Sequence, residues 1–200
     1  MNETGKRKGN FIAQGWLVIL LALLYGGALA GVQIGLGPRI RENKRNETYE
    51  QIPRLVEGAV KERTEEIAVV DKTGRSTRVY RASNGEGTLC GWVLPAAGPG
   101  FADRIELLVG LNAPMTVITG LFVLDQKETP GLGDYITGGD FRDLFRGKST
   151  AKPLVVVVGD AEAGDQIKAL TGATISSQSV ADIVNEAIRN LKEPVLQHSE

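Results

Sequence analysis

Thr171-Gly172-Ala173-Thr174-Ile175-Ser176-Ser177 is a turn of small and hydroxylated residues that opens into an amphipathic helix. Beyond it, Val180, Ile183, Val184, Ala187, Ile188 and Leu191 recur at the i, i+3, i+4, i+7 spacing of one buried helix face. Ser176, Ser177 and Ser179 are each candidates to cap the helix start, since a hydroxyl oxygen there accepts from amides with no carbonyl one turn back. Those amides and the positive end of the helix dipole converge on the turn, while Gly172 and Ala173 allow close approach to the backbone. The turn therefore reads as a site for a phosphate-bearing ligand. The plainer alternative is a helix cap without a ligand, because caps of this composition are common.

A second unusual stretch, Glu128-Thr129-Pro130-Gly131-Leu132-Gly133-Asp134, lies upstream. Pro130 fixes its own φ, and Gly131 and Gly133 permit backbone shapes barred to other residues. Taken alone it is simply a Pro-Gly turn.

Together the two stretches resemble the FMN-binding domain family. That family includes the G subunit of Rnf-type ion-translocating electron-transport complexes and the C subunit of the sodium-translocating NADH:quinone reductase. Thr171–Thr174 is similar to the family's [Ser/Thr]-Gly-Ala-Thr motif, and Glu128–Gly133 resembles its Glu-Thr-Pro-Gly-Leu-Gly segment, with Asp134 following as in the Rnf version. The resemblance covers essentially the whole chain. It implies that Thr174 carries FMN through a phosphoester bond, with Thr171, Gly172, Ala173, Ser176 and Ser177 around the phosphate. It also implies that Glu128, Thr129, Gly131 and Leu132 shape the flavin pocket, Leu132 packing on the ring. The implied partners are a flavin transferase that attaches the FMN and the other membrane subunits of an Rnf-type complex. Three positions before the first Thr, where the family carries an acid, this chain has Lys168, and its nearest acid is Asp165. Lys168 either hinders flavin attachment or neutralises phosphate charge.

The N-terminal fifth is membrane-like. Lys6, Arg7 and Lys8 precede an uncharged stretch from Gly9 to Pro38, whose apolar core Trp16–Leu36 is long enough to cross a bilayer at about 20 residues. Trp16 sits where an interfacial anchor belongs. Gly27–Gly31 and Gly31–Gly35 are small-xxx-small spacings that suit close helix packing. Ala28-Leu29-Ala30 has the form of a signal-peptide cleavage site, but the apolar run continues past it, which favours a retained anchor. Arg39, Arg41, Lys44 and Arg45 balance the first three positive charges, so charge bias leaves the orientation open. The resemblance implies a short cytoplasmic N-terminus at 1–10, an anchor at 11–37 in the inner membrane and a domain on the periplasmic face.

From 38 to 66 the chain reads as a polar connecting helical segment, with Ile52, Leu55, Val56 and Ala59 as its apolar stripe and Pro53 in a first turn. Thr77–Ala82, Leu89–Leu94, Arg104–Leu111 and Met115–Leu124 read as strands, separated by turn signals at Asn84-Gly85, Pro95–Gly100 and Asn112-Ala113-Pro114. Connections this short predict an antiparallel meander. Phe141–Phe145 reads as a short helix, and the β-branched run Pro153–Val158 as a strand buried on both faces. The expected fold is α+β: one N-terminal transmembrane helix, then an FMN-binding domain at 67–200 with a mainly antiparallel sheet flanked by helices.

Composition narrows the chemistry. A net charge of −1 gives no broad attraction to nucleic acid. The lone cysteine, Cys90, excludes an intrachain disulfide and any thiolate cluster, and reads as a small core residue. The lone histidine, His198, lies in the polar C-terminal tail. No metal site is expected, and no catalytic acid–base pair surrounds the motif, as befits an electron-relay component rather than a stand-alone enzyme. Two other classes remain in view. One is a membrane-anchored FMN-binding sensor or reductase outside an ion pump; the other is an interaction module without flavin.

Overall fold

The apolar stretch and the charged one that follows it fold as a single helix, α1 (Phe11–Leu55). The computed structural model describes residues 11–161 and 164–198, so the expected N-terminal stretch 1–10 lies outside the described residues. Among these, Gly15–Leu55 is the one helix long and apolar enough to cross a membrane, and its apolar window is unburied. It is a candidate membrane anchor. Pro38 and Pro53 both fall inside α1, not at the helix start expected for Pro53. A proline inside a helix removes one amide donor and crowds the carbonyl four residues back. At Pro53 that cost is offset by Ile52, Leu55 and Val56, all buried. The connecting segment expected over 38–66 is thus divided. α1 takes it to Leu55, a 3-10 turn follows at Lys61–Arg63, and the first strand begins at Thr64.

The chain divides into two compact units, 1–45 and 46–200, and the second holds the sheet. Strands β1 (Thr64–Val70), β2 (Ser76–Ser83), β3 (Leu89–Pro99), β4 (Arg104–Asn112) and β5 (Ile118–Asp125) form one sheet in chain order. Every neighbouring pair is antiparallel, the meander that the short connections predict. Then come α2 (Gly139–Asp143), β6 (Val155–Val157), β7 (Gln166–Lys168) and α3 (Thr174–His198).

Side-chain alternation divides the core in two. Val79, Trp92, Leu94, Leu107, Val109 and Leu111 face Val180, Ile183, Val184, Ile188 and Leu191 of α3. The intervening Tyr80, Val93 and Leu108 face the other way, onto Ile52, Leu55 and Val56 at the end of α1. The middle of the sheet is therefore covered on both faces, so β3 and β4 carry runs of consecutive buried residues.

β1 and β7 have no counterpart among the expected strands, β5 starts at Ile118 instead of Met115, and two further stretches take a different course. β3 passes through Pro95 and Pro99, where a turn is expected. Its pairing with β2 ends at Val93, and beyond that point it pairs with β4 alone. Proline is tolerated there because one edge of the strand needs no amide donor. The run Pro153–Val158 yields only the three-residue β6, parallel to β7, with Val155 and Val158 exposed instead of buried. The expected short helix at Phe141–Phe145 appears as α2, and those two rings meet edge to face at 5.4 Å. Cys90 is half-buried beside the α1 end, and the His198 tail continues α3.

Gly110 marks the closest approach of α1 to the sheet. A Cβ there would lie 2.6 Å from the Leu55 carbonyl oxygen and 2.9 Å from Thr119 Oγ1, whose hydroxyl donates to that same carbonyl at 2.6 Å. Gly110→Ala is expected to destabilise the protein by about 1–3 kcal/mol, the usual cost of overpacking. Denaturant unfolding of the detergent-solubilised chain, followed by tryptophan fluorescence, measures it.

Candidate functional site

Helix α3 begins at Thr174, earlier than the serine caps expected from the sequence, and the difference reassigns both buried serines. The first helical bond runs from the Ser177 amide to the Ala173 carbonyl, leaving the amides of Thr174, Ile175 and Ser176 with no carbonyl one turn back. Ser177, fully buried, does not cap that first turn. Its hydroxyl donates to the Ala173 carbonyl at 2.9 Å and accepts from the Leu170 amide at 3.0 Å, stapling the motif turn to the helix. Ser176 instead turns its hydroxyl onto the Glu128 carboxylate at 2.5 Å. Ser179 is half-buried in the second turn. The free amides and the positive helix end remain as the sequence predicts, but no serine occupies them.

A cavity of about 330 Å³ opens at this helix start, small but within the usual range for ligand sites. Phe101, Glu128, Thr129, Leu132 and Gly133 wall it from one side, and 172–176 from the other. Seven of the expected site residues are thus brought together: Glu128, Thr129, Leu132, Gly172, Ala173, Thr174 and Ser176. Thr171 and Gly131 are exposed and do not line it, and Ser177 lies beneath the turn. Thr174 is exposed, so its hydroxyl is reachable from solvent.

Three wall residues are large, apolar and exposed: Phe101 at 62%, Ile175 at 58% and Leu132 at 47%. Sequence reasoning identifies Leu132 but misses the other two. Ile175 falls off the apolar stripe of α3, a sign of an outward apolar residue. Phe101 follows Gly98-Pro99-Gly100, in the turn that links β3 to β4, where an aromatic has no strand to pack in.

Gly172 has φ +80°, and a Cβ on it would lie 3.0 Å from Leu132 Cδ2, so the motif turn and the Leu132 loop meet there. Lys168 lies outside the cavity wall. Its ammonium pairs with Asp160 at 2.7 Å, and this hydrogen bond, then its charge, holds the Asp160 carboxyl below its ordinary range. A wider hollow of about 470 Å³, between Ser149–Leu154 and the 182–189 face of α3, contains no motif residue and mixes charges of both signs on its rim.

Residues 100–189 match the family described as FMN-binding domain. The chain is 41% identical over 110 residues to the G subunit of the Na(+)-translocating ferredoxin:NAD(+) oxidoreductase complex of Acetobacterium woodii, covering 54% of this chain and 51% of that protein. It is 34% identical over 109 residues to the G subunit of the ion-translocating oxidoreductase complex of Methanosarcina acetivorans, covering 54% and 55%. The chain spans about half the length of the curated relatives it matches. Among solved structures, NqrC of Shewanella oneidensis shares the fold, with a TM-score of 0.54 at 22% identity over 72% of this chain and 73% of that one. The C subunit of the Na(+)-translocating NADH-quinone reductase of Parabacteroides distasonis has a TM-score of 0.52 at 27% identity, covering 58% and 61%.

The cavity fits a flavin nucleotide. Unpartnered amides and a helix N-terminus suit its phosphate, and three exposed apolar side chains suit its ring. Gly172→Ala is expected to cost about 1–2 kcal/mol of folding stability, from the left-handed backbone alone. Denaturant midpoints of the two proteins would show it, and equal midpoints would contradict the geometry.

Proposed function

We propose, from the premise that residues 100–189 form a domain of the FMN-binding family, that this chain is a membrane-anchored flavoprotein subunit. It relays electrons through FMN esterified to Thr174, within an ion-translocating oxidoreductase complex of the Rnf type. The observation that carries this reading is the position of Thr174. Its exposed hydroxyl stands at the first residue of α3, beside unpaired amides and on the wall of a cavity with an apolar rim.

When bound, FMN supplies reversible one- and two-electron chemistry of its own. The amides of Thr174, Ile175 and Ser176 hold the phosphate oxygens against the positive helix end. Phe101, Leu132 and Ile175, exposed on the cavity wall, would pack on the ring. Thr174 would be the residue that holds the flavin covalently, through its exposed hydroxyl. Lys168, engaged by Asp160, stays apart from the phosphate.

The apolar part of α1 is the anchor, with the domain on the periplasmic face and the other subunits of the complex as its neighbours in the membrane. The domain limits follow from this reading: anchor, connecting segment, then the FMN-binding domain.

Three outcomes are expected. Made alongside a flavin transferase, the chain carries one added FMN residue by intact mass and fluoresces as a band on a denaturing gel. Thr174→Ala loses both signals, whereas Lys168→Ala retains them; a bare mass for the unaltered protein would overturn the reading. Protease added to right-side-out spheroplasts digests the domain, and protection would reverse the assigned orientation. Co-purification with integral membrane subunits distinguishes a pump component from a solitary sensor or reductase.

A further inference from the structure

Glu128 is the most completely buried acid around the cavity, 4% exposed, and the anchoring chemistry of Thr174 does not use it. Its Oε2 accepts from the Ser176 hydroxyl at 2.5 Å and its Oε1 from the Ala102 amide at 3.1 Å. These two bonds clasp three wall segments: the β3–β4 turn that carries Phe101, the loop that carries Leu132, and the start of α3 that carries Thr174 and Ile175. The wall is closed tightly around the carboxylate. A Cβ on Gly133 would lie 2.9 Å from Glu128 Oε2 and from Ser176 Oγ, and one on Gly100 would collide with Glu128 Oε1.

A clasp of this shape does not need a charge, because a glutamine would occupy the same volume. Yet the group is an acid, and among the described residues no lysine, arginine or histidine pairs with it. The nearest ion pair along the chain, Lys127 with Asp103, leaves Glu128 out. Its oxygens meet the Ala102 amide, which can only donate, and the Ser176 hydroxyl. An acid stands where an amide would serve the clasp, so packing alone does not account for the choice of residue.

We propose that Glu128 is a positioning residue whose carboxylate, on the cavity wall that also carries Phe101 and Leu132, holds the midpoint potential of the bound flavin low. This rests on the reading that FMN occupies the cavity. Reduction of the ring by two electrons, with uptake of one proton from solvent, leaves it one charge more negative. In a cavity of this size, shielded from bulk water on one side, that charge is repelled by the carboxylate, and reduction is disfavoured. The Ser176 hydroxyl spreads part of the Glu128 charge and so moderates the effect.

The two variants are therefore expected to move the potential in opposite directions. Glu128→Gln removes the charge and keeps the shape, so the midpoint rises. Ser176→Ala keeps the charge and removes a donor, so the midpoint falls. The measurement is a spectroelectrochemical titration with dithionite, at mildly alkaline pH, of full-length protein made with a flavin transferase and loaded with FMN. A role confined to packing would leave the Glu128→Gln midpoint unchanged, since the glutamine keeps the shape of the clasp, or would move both variants the same way if each loosens it. Shifts of the same sign, or an unchanged Glu128→Gln midpoint, overturn the inference. Should Glu128→Gln fail to fold or load, Ser176→Ala decides alone: a fall supports the inference and a rise or no change overturns it. Intact mass separates the two layers. Unaltered protein without the FMN mass overturns the functional reading and this inference with it, whereas loaded proteins with the wrong shifts overturn this inference only.

Discussion

The seating of α3 on the five-stranded sheet fixes almost everything else about the site. Val180, Ile183, Val184, Ile188 and Leu191 are buried against alternate residues of the central strands, and such a surface cannot slide by a residue without exposing part of itself. Each fully buried aliphatic side chain contributes about 1.5–3 kcal/mol. The helix is thus locked along its axis, and its first residue, Thr174, is placed to within the tolerance of side-chain packing. Ser177 then carries that rigidity one step further, tying the motif turn to the helix by two hydrogen bonds.

The opposite wall is built from loops, which lack this kind of support, and its precision has a different source. Glycines let backbone segments approach where a side chain would collide, as at Gly133 against Glu128 and Ser176. The buried acid then joins the loops to the rigid helix. One wall is held by apolar area and the other by a few directional bonds. Losing a bond therefore affects site geometry more than total stability, while losing a core side chain does the reverse.

Much of this is legible in the amino-acid sequence, and for identifiable reasons. The α3 face and the antiparallel meander follow from apolar spacing and from turns too short for crossovers. The Gly172 turn and the Pro130–Gly133 loop announce themselves by residue types that few other conformations need. What sequence cannot supply is long-range. Pro95 reads as a breaker because nothing local says that β2 has already parted from β3 there. Ser176 reads as a cap because its partner, Glu128, is 48 residues away. Pro38 and Pro53 read as boundaries, yet α1 continues through both. Phe101 escapes notice because its apolar neighbours at the site, Leu132 and Ile175, come from distant segments.

An open cavity with an exposed apolar rim creates a physical tension, and the proposed ester at Thr174 resolves it. A site that buries most of a ligand binds it tightly but isolates it from partners. A site that leaves the ring accessible gives up contact area and, with it, affinity. In a compartment where free FMN is dilute, the open arrangement would stand mostly empty. A covalent link removes the concentration dependence altogether, because the tethered ring meets its cavity at an effective concentration set by the tether. Affinity and exposure are then separate properties. The amides of 174–176 need only orient the phosphate, and Phe101, Leu132 and Ile175 need only steady the ring while an edge of it remains available. The proposed membrane anchor would apply the same logic at larger scale, confining the carrier to the plane in which the proposed partners lie.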